Sequence, residues 1–177
     1  MRSPHASRST RPADGIRLVS WTPAWAERFR AERAELERAV GDRVLAIEHI
    51  GSTSIPGIRA KPVVDICVAV ESFEAARATL QPIEALAYVY RGEHGIAGRH
   101  FFQKGDPREV NLHMVEITSE EWQRHIVFRD YLRGHRDAAL EYEALKQELA
   151  ELHASDIEAY AAAKTPFVRK IIALARG

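Results

Sequence analysis

Gly51-Ser52-Thr53-Ser54 closes an apolar run from Val44 to Ile50, and Asp65 sits inside the next one, Val63 to Val70. Residues of these types in this order suit chemistry on phosphate. Glycine lets backbone come close to a ligand because it has no Cβ, and the hydroxyls of Ser52, Thr53 and Ser54 can bond to phosphate oxygens. If a helical turn follows, its free N–H groups aim at the same point. A carboxylate projecting from a neighbouring strand beside such a cradle is the layout for a Mg²⁺ ion bridging protein and phosphate. The alternative for Asp65 is structural. A carboxylate in an apolar strand needs a partner, and Lys61, Arg99 or Lys104 could supply a salt bridge.

Other candidates lie further along the chain. Arg99 and Lys104 flank Phe101-Phe102, and a guanidinium fork and an ammonium point charge are both suited to clamping phosphate. His113 shares a short strand with Asn111, where it reads either as a hydrogen-bonded strand histidine or as a ligand. His49 carries the same pair of readings. Cys67, the only cysteine, reads as a small core filler.

These residues need elements to position them. Thr22-Pro23 is a helix-start signature, followed by Trp25, Phe29, Leu36 and Val40 at helical spacing and closed by Gly41. Ile16 to Val19 reads as a short strand or extended segment, and Val44 to Ile50 as a longer strand. In the strand Val63 to Val70, alternation puts Val64, Ile66, Val68 and Val70 on one face and Val63, Asp65, Cys67 and Ala69 on the other. A helix with a serine cap is expected from Ser72, interrupted by Pro82. Tyr88 to Tyr90, Arg99 to Gln103 and Val110 to Ile117 are further strands. From the capping box Thr118-Ser119-Glu120-Glu121 the chain turns helical. Helices are expected to about Arg133, from about Asp137 to His153, and from Ser155 to Ala175, the last kinked or split at Thr165-Pro166. Arg129, Arg133, Lys146 and Lys164 fall on helices, where a solvated face is the ordinary reading. The class is therefore α/β in the α+β sense: a mixed sheet with packed helices and a helical C-terminal segment.

Several motifs in this order resemble the GrpB-type domain of the nucleotidyltransferase-fold superfamily. They are Gly51-Ser52-Thr53-Ser54-Ile55-Pro56-Gly57 with Ala60-Lys61-Pro62 and Asp65-Ile66, then Gly98 to Lys104, Asn111 to Val115 and Phe128 to Arg133. Tyr142 to Lys146 and Tyr160 to Lys164 complete the set. The resemblance implies a nucleotidyltransferase-like fold over essentially the whole chain beyond its tail. The phosphate site expected is Gly51 to Ser54 with Lys61, Arg99, Lys104 and His113, and the resemblance raises Lys146 and Lys164 somewhat. Similar domains occur fused behind dephospho-coenzyme A kinases. Active members of the superfamily carry a second carboxylate two residues after the first, and here that position is Cys67. Thiols are poor Mg²⁺ ligands, and two-metal catalysis needs carboxylates bridging ions roughly 4 Å apart. Glu48, Glu109, Glu116 or His113 would have to substitute.

Composition narrows the partners. The chain has 177 residues, 46% hydrophobic, with 25 basic and 25 acidic side chains. That supports one core, and zero net charge argues against a nucleic-acid binder working through bulk charge. Residues 1–15, rich in Arg, Ser and Pro, are expected to form a disordered tail ahead of a single domain at 16–177. They contain no apolar signal region, and no stretch is long and apolar enough to span a membrane, so a cytoplasmic protein is expected. The function expected is nucleotide or other phosphorylated-ligand binding, extending to Mg²⁺-dependent nucleotidyl transfer with Asp65 as the catalytic and metal-binding residue. The alternative is a non-catalytic ligand-binding or chaperone-like module linked to coenzyme A metabolism.

Overall fold

The computed structural model describes residues 15–177, so the expected tail lies almost wholly outside the described residues. Helix α1 (Ala24–Val40) precedes strands β1 (Ala46–Ile50) and β2 (Val64–Val70). A short helix α2 (Leu80–Glu84) leads to β3 (Val89–Tyr90), β4 (Arg99–Lys104) and β5 (Val110–Glu116). Four helices finish the chain: α3 (Glu120–Gly134), α4 (Arg136–Leu152), α5 (Ile157–Ala163) and α6 (Thr165–Arg176). The five strands form one sheet in the order β1-β2-β5-β4-β3, with β2 and β5 parallel and every other pair antiparallel. This is the mixed sheet with packed helices and a helical C-terminal segment that the sequence leads one to expect.

Strand alternation sorts the two faces. Val64, Ile66, Val68 and Val70 of β2, with Leu112 and Met114 of β5 and Phe102 of β4, pack against Trp25, Leu36 and Val40 of α1 and Ile83 of α2. The opposite face carries Asp65 and Cys67 of β2 and Asn111, His113 and Val115 of β5. There Ile50, Cys67 and Val115 are covered by Trp122 and Ile126 of α3. A separate apolar cluster joins the C-terminal helices to the segment after β1 through Ile55, Ile58, Phe128, Leu132, Tyr142, Phe167 and Ile171. The C-terminal helices thus roof one face of the sheet, and the gap beside that roof is where the polar strand residues open.

Some local expectations shift. Ile16 to Val19 is the extended segment, not a strand of the sheet; Val19 makes an isolated antiparallel bridge to Ala60. Pro82 does not interrupt a helix. A 3₁₀ stretch, Ala75–Thr79, comes first, and Pro82 falls in the opening turn of α2, where the missing N–H of proline costs little. As expected, the helix after Ser155 is split, and Thr165-Pro166 opens α6. The α3 cap is Ser119 rather than Thr118: its hydroxyl accepts from Trp122 N at 3.2 Å and donates to Glu116 O at 2.6 Å. Ser119→Ala is expected to lower the unfolding free energy by about 1 kcal/mol in a urea titration, with the slope unchanged. An unaltered midpoint would show that the cap carries no weight.

Candidate functional site

The site begins with a close approach. Gly51 leaves β1 with φ of +69°, and a Cβ built there would lie 2.6 Å from Asp65 Oδ2. Residue 51 must therefore be glycine for two independent reasons, its backbone region and the carboxylate pressed against it. A 3₁₀ turn, Ser52–Ser54, follows, and its own bonds use the N–H groups of Ser54 and Ile55. The N–H groups of Ser52 and Thr53 lie outside that ladder.

Asp65 and Asn111 are register partners across the parallel β2–β5 pair, and Asn111 Nδ2 donates to Asp65 Oδ1 at 2.8 Å. His113 Nε2 faces the same oxygen at 3.6 Å. On its other side, His113 Nδ1 lies 3.2 Å from Arg99 Nη1. A guanidinium can only donate, so Nδ1 is the acceptor and the imidazole proton sits on Nε2, toward Asp65. Arg99 is itself immobilised. It is 5% exposed, stacks on Phe101 and donates to the backbone carbonyls of Glu93 and His94. Burial opposes ionisation of Asp65, but the His113 and Asn111 groups and the Lys61 charge outweigh it and hold the carboxyl below its usual range. Burial pushes His113 down, and the charges of His125 and Arg99 act in the same direction.

A cleft of about 340 Å³ opens in front of these residues, within the range of small-molecule sites. Gly51, Ser52 and Thr53 form one wall, and Phe128, Tyr142, Tyr160 and Val168 supply apolar surface. Lys61, Arg124, Lys146 and Lys164 also line it, and Asp65 is the one acidic residue doing so among the described residues. Lys61 and Lys164 both lie over the Tyr160 ring, at 5.3 and 4.4 Å, while Lys146 lies over Tyr142 and donates to Arg59 O. Burial and the neighbouring Lys164 charge push Lys146 down to about 7. Burial and the Lys61 charge push Lys164 down to about 8. Among the described residues these ammonium groups crowd together without a salt-bridged carboxylate and are costly to keep charged.

Of the residues singled out in the sequence, Gly51, Ser52, Thr53, Lys61, Asp65 and His113 meet at this cleft. Ser52 stands beside Tyr142, whose phenol burial pushes up to about 12. The Thr53 and Ser54 hydroxyls are turned inward. Thr53 Oγ1 bonds His49 Nε2 at 2.9 Å, and Ser54 Oγ donates to Gly51 O at 2.6 Å, so both shape the turn instead of facing a ligand. His49 stacks on Phe29 and is pushed down to about 4 by burial and the nearby Arg133, which makes it a neutral structural histidine. Arg99 stands behind His113 and does not line the cleft. Lys104 is the clear departure: it lies on the opposite face, bonded to Glu32 at 2.9 Å and placed over Tyr88. Arg99 and Lys104 are five positions apart on one strand, and an odd separation sends them to opposite faces. No salt bridge joins Asp65 to Lys61, Arg99 or Lys104 among the described residues.

The donor set does not fit a two-ion magnesium site. Cys67 is fully buried under α3 and its thiol is pushed well up by burial, so it supplies no ligand. Glu48 is taken by Arg129 at 2.6 Å, Glu109 by Arg28 at 2.7 Å, and Glu116 accepts from Phe73 N at 2.9 Å. No group of three His, Cys, Asp or Glu side chains is placed to share an ion among the described residues. The Arg129–Glu48 pair also corrects the solvated-face reading of Arg129, which is 7% exposed and donates to His49 O as well. Lys146 and Lys164 likewise turn inward. In the sequence Tyr142 and Tyr160 read only as motif and core residues, because aromatic residues at helical spacing look the same whether they fill a core or wall a cleft, and nothing in the pattern singles out Arg124 or His125.

The fold and the cleft define a class: a mixed α+β domain carrying a cation-lined pocket built around one carboxylate. The family model described as GrpB protein matches residues 15–174, and the chain belongs to the GrpB family. It is 40% identical over 159 residues to the UPF0157 protein YqkA of Bacillus subtilis, an alignment covering 89% of this chain and 46% of that protein. It is 35% identical over 161 residues to the glutamate-rich protein GrpB of Alkalihalophilus pseudofirmus, covering 88% and 92% respectively. A dephospho-CoA kinase of Mycolicibacterium paratuberculosis is 30% identical over 183 residues, covering 87% of this chain and 44% of the kinase. The chain thus spans less than half the length of two of these three relatives. The crystal structure of GrpB from Enterococcus faecalis superimposes with a TM-score of 0.82 at 36% identity, covering 90% of this chain and 96% of that one. No helix among the described residues is long and apolar enough to cross a membrane.

The Arg99–His113–Asp65 arrangement has a spectroscopic signature. Nitrogen-15 NMR of the ring should show His113 neutral with its proton on Nε2 at pH 6.5, where an ordinary histidine is about half protonated. Arg99→Met should let the Nδ1–H tautomer or the imidazolium appear. A charged His113 in the wild type at that pH would contradict the arrangement.

Proposed function

We propose that the cleft binds the phosphate of a nucleotide or another phosphorylated small molecule, without a resident metal ion. The observation that carries this reading is the charge imbalance of the lining. Three lysines, Lys61, Lys146 and Lys164, line the cleft with Asp65 as the one carboxylate among the described residues, in a chain whose formal net charge is zero, while Arg124 is already paired with Glu121. An anion is what relieves that imbalance, because each buried ammonium is costly until it gains a counter-charge and hydrogen bonds. Lys164 and Lys61 both lie over the Tyr160 ring and would hold phosphate oxygens, with the N–H groups of Ser52 and Thr53 in the same lining as further donors.

Nucleotidyl transfer through paired metal ions, the chemistry of active members of the superfamily, is the weaker reading for this chain. Its second carboxylate is replaced by the sealed Cys67, and the other candidate ligands are committed to arginines or backbone. A phosphate-binding module, whether an enzyme of another kind or the partner of one, needs only the turn and the cations. Two relatives named dephospho-CoA kinase make a phosphorylated coenzyme a sensible member of the ligand panel.

Titration calorimetry with ATP, pyrophosphate and coenzyme A, each with Mg²⁺ and then with EDTA, tests the reading. At least one ligand should bind, keep its affinity in EDTA and weaken by about tenfold or more in Lys164→Met, the scale of a lost charged hydrogen bond. Binding that needs Mg²⁺ and disappears in Asp65→Asn would restore the metal-dependent reading. Absence of binding by all three would end the phosphate reading.

A further inference from the structure

The cleft lining sets a single carboxylate among its ammonium groups, and that combination constrains its ligand. Lys61 and Lys164 present ammonium groups over the Tyr160 ring. Asp65 keeps 28% of its side chain exposed, although it sits in a strand with buried neighbours on both sides. Both neighbouring donors are directed at one oxygen: Asn111 Nδ2 at 2.8 Å and His113 Nε2 at 3.6 Å both address Oδ1. Oδ2 lies against residue 51, where only a glycine leaves it room. The second oxygen thus has no side-chain donor assigned to it among the described residues.

An anionic acceptor of this kind does two things in a phosphate site. It repels phosphate from its own oxygens, which leaves the phosphate to the lysines, and it rewards a hydroxyl or amine that can donate to it. Specificity built from one repulsive and one attractive contact is sharper than attraction alone. We infer that the ligand is a phosphate ester on a hydroxyl-bearing body, of the sugar phosphate or ribonucleotide kind, with its phosphate on Lys61 and Lys164 and a hydroxyl donating to Asp65. This rests on the phosphate reading of the cleft and adds a substrate class to it. Asn111 and, through the tautomer of His113, Arg99 act as positioning residues: they hold Oδ1 so that the carboxylate keeps one orientation.

The test compares two monoesters of the same charge on the wild-type protein, ribose 5-phosphate and n-pentyl phosphate, by titration calorimetry in EDTA. Ribose 5-phosphate should bind about tenfold or more tightly, the value of one hydrogen bond to a charged acceptor. In Asp65→Asn that preference should shrink to about threefold or less, while pentyl phosphate binds as well as before or better because the repulsion is gone. Equal affinities for the two esters on the wild type would overturn the inference while leaving the phosphate reading intact. So would a variant that loses both esters equally, since Asp65 would then be serving the lysines rather than the ligand. If neither ester, nor pyrophosphate as a control, binds the wild type, the phosphate reading fails and this inference goes with it. The wild-type comparison stands even if the variant does not fold.

Discussion

The carboxylate of Asp65 and the backbone of Gly51 occupy space that a single methyl group would contest. A Cβ at residue 51 would fall 2.6 Å from Oδ2, and that contact fixes where β1 ends, which way the 3₁₀ turn leaves and how the carboxylate points. The rest of the site follows from it. The parallel pairing of β2 with β5 places Asn111 opposite Asp65 and His113 opposite Cys67, so the two donors to Oδ1 arrive on the same face by register alone. Arg99, one strand further out and held by two backbone carbonyls, then sets the tautomer of His113. The Asn111–Asp65 and Arg99–His113 links are hydrogen bonds whose direction is forced by a group that can only donate, and His113 faces Asp65 across 3.6 Å.

The C-terminal helices supply the opposite charge. Tyr142 and Lys146 of α4, Tyr160 of α5 and Lys164 at the α5–α6 junction roof the face that α1 leaves free. Their lysines cannot reach solvent fully because their stems lie along buried tyrosine rings, and they make no ion pair with Asp65 among the described residues. The result is a strong local field in a molecule with no net charge. Such a field draws small anions without attracting polyanions in general.

Much of this was legible in the chain. The alternation of β2, with Asp65 and Cys67 facing away from Val64, Ile66 and Val68, follows directly from a period of two, and the glycine-serine turn announced a close backbone approach. The residue type of Lys104 suggests a phosphate clamp, but its parity with Arg99 under the same period of two puts it on the other face. Lys146 and Lys164 read as solvent-facing because a helix pattern does not say which neighbour its polar positions meet. That depends on tertiary packing, here on Ile55 and Ile58 docking against α3, α4 and α6. Thr53 and Ser54 looked like ligand hydroxyls but satisfy the turn, a choice that only the positions of His49 and Gly51 O decide.

The central claim is that the buried lysines stand without a counter-charge until an anion arrives. Carbon-13 NMR of the lysine side chains, titrated from pH 5 to 11 with and without saturating pyrophosphate, measures this directly. Without ligand, Lys146 and Lys164 should titrate near about 7 and 8, far below an ordinary lysine. Pyrophosphate favours the charged form, so it should raise Lys164 by one unit or more, and its affinity should fall as pH rises through that value. Ordinary lysine titration near about 10.4 in the free protein, or no upward movement when pyrophosphate is added, would contradict the account.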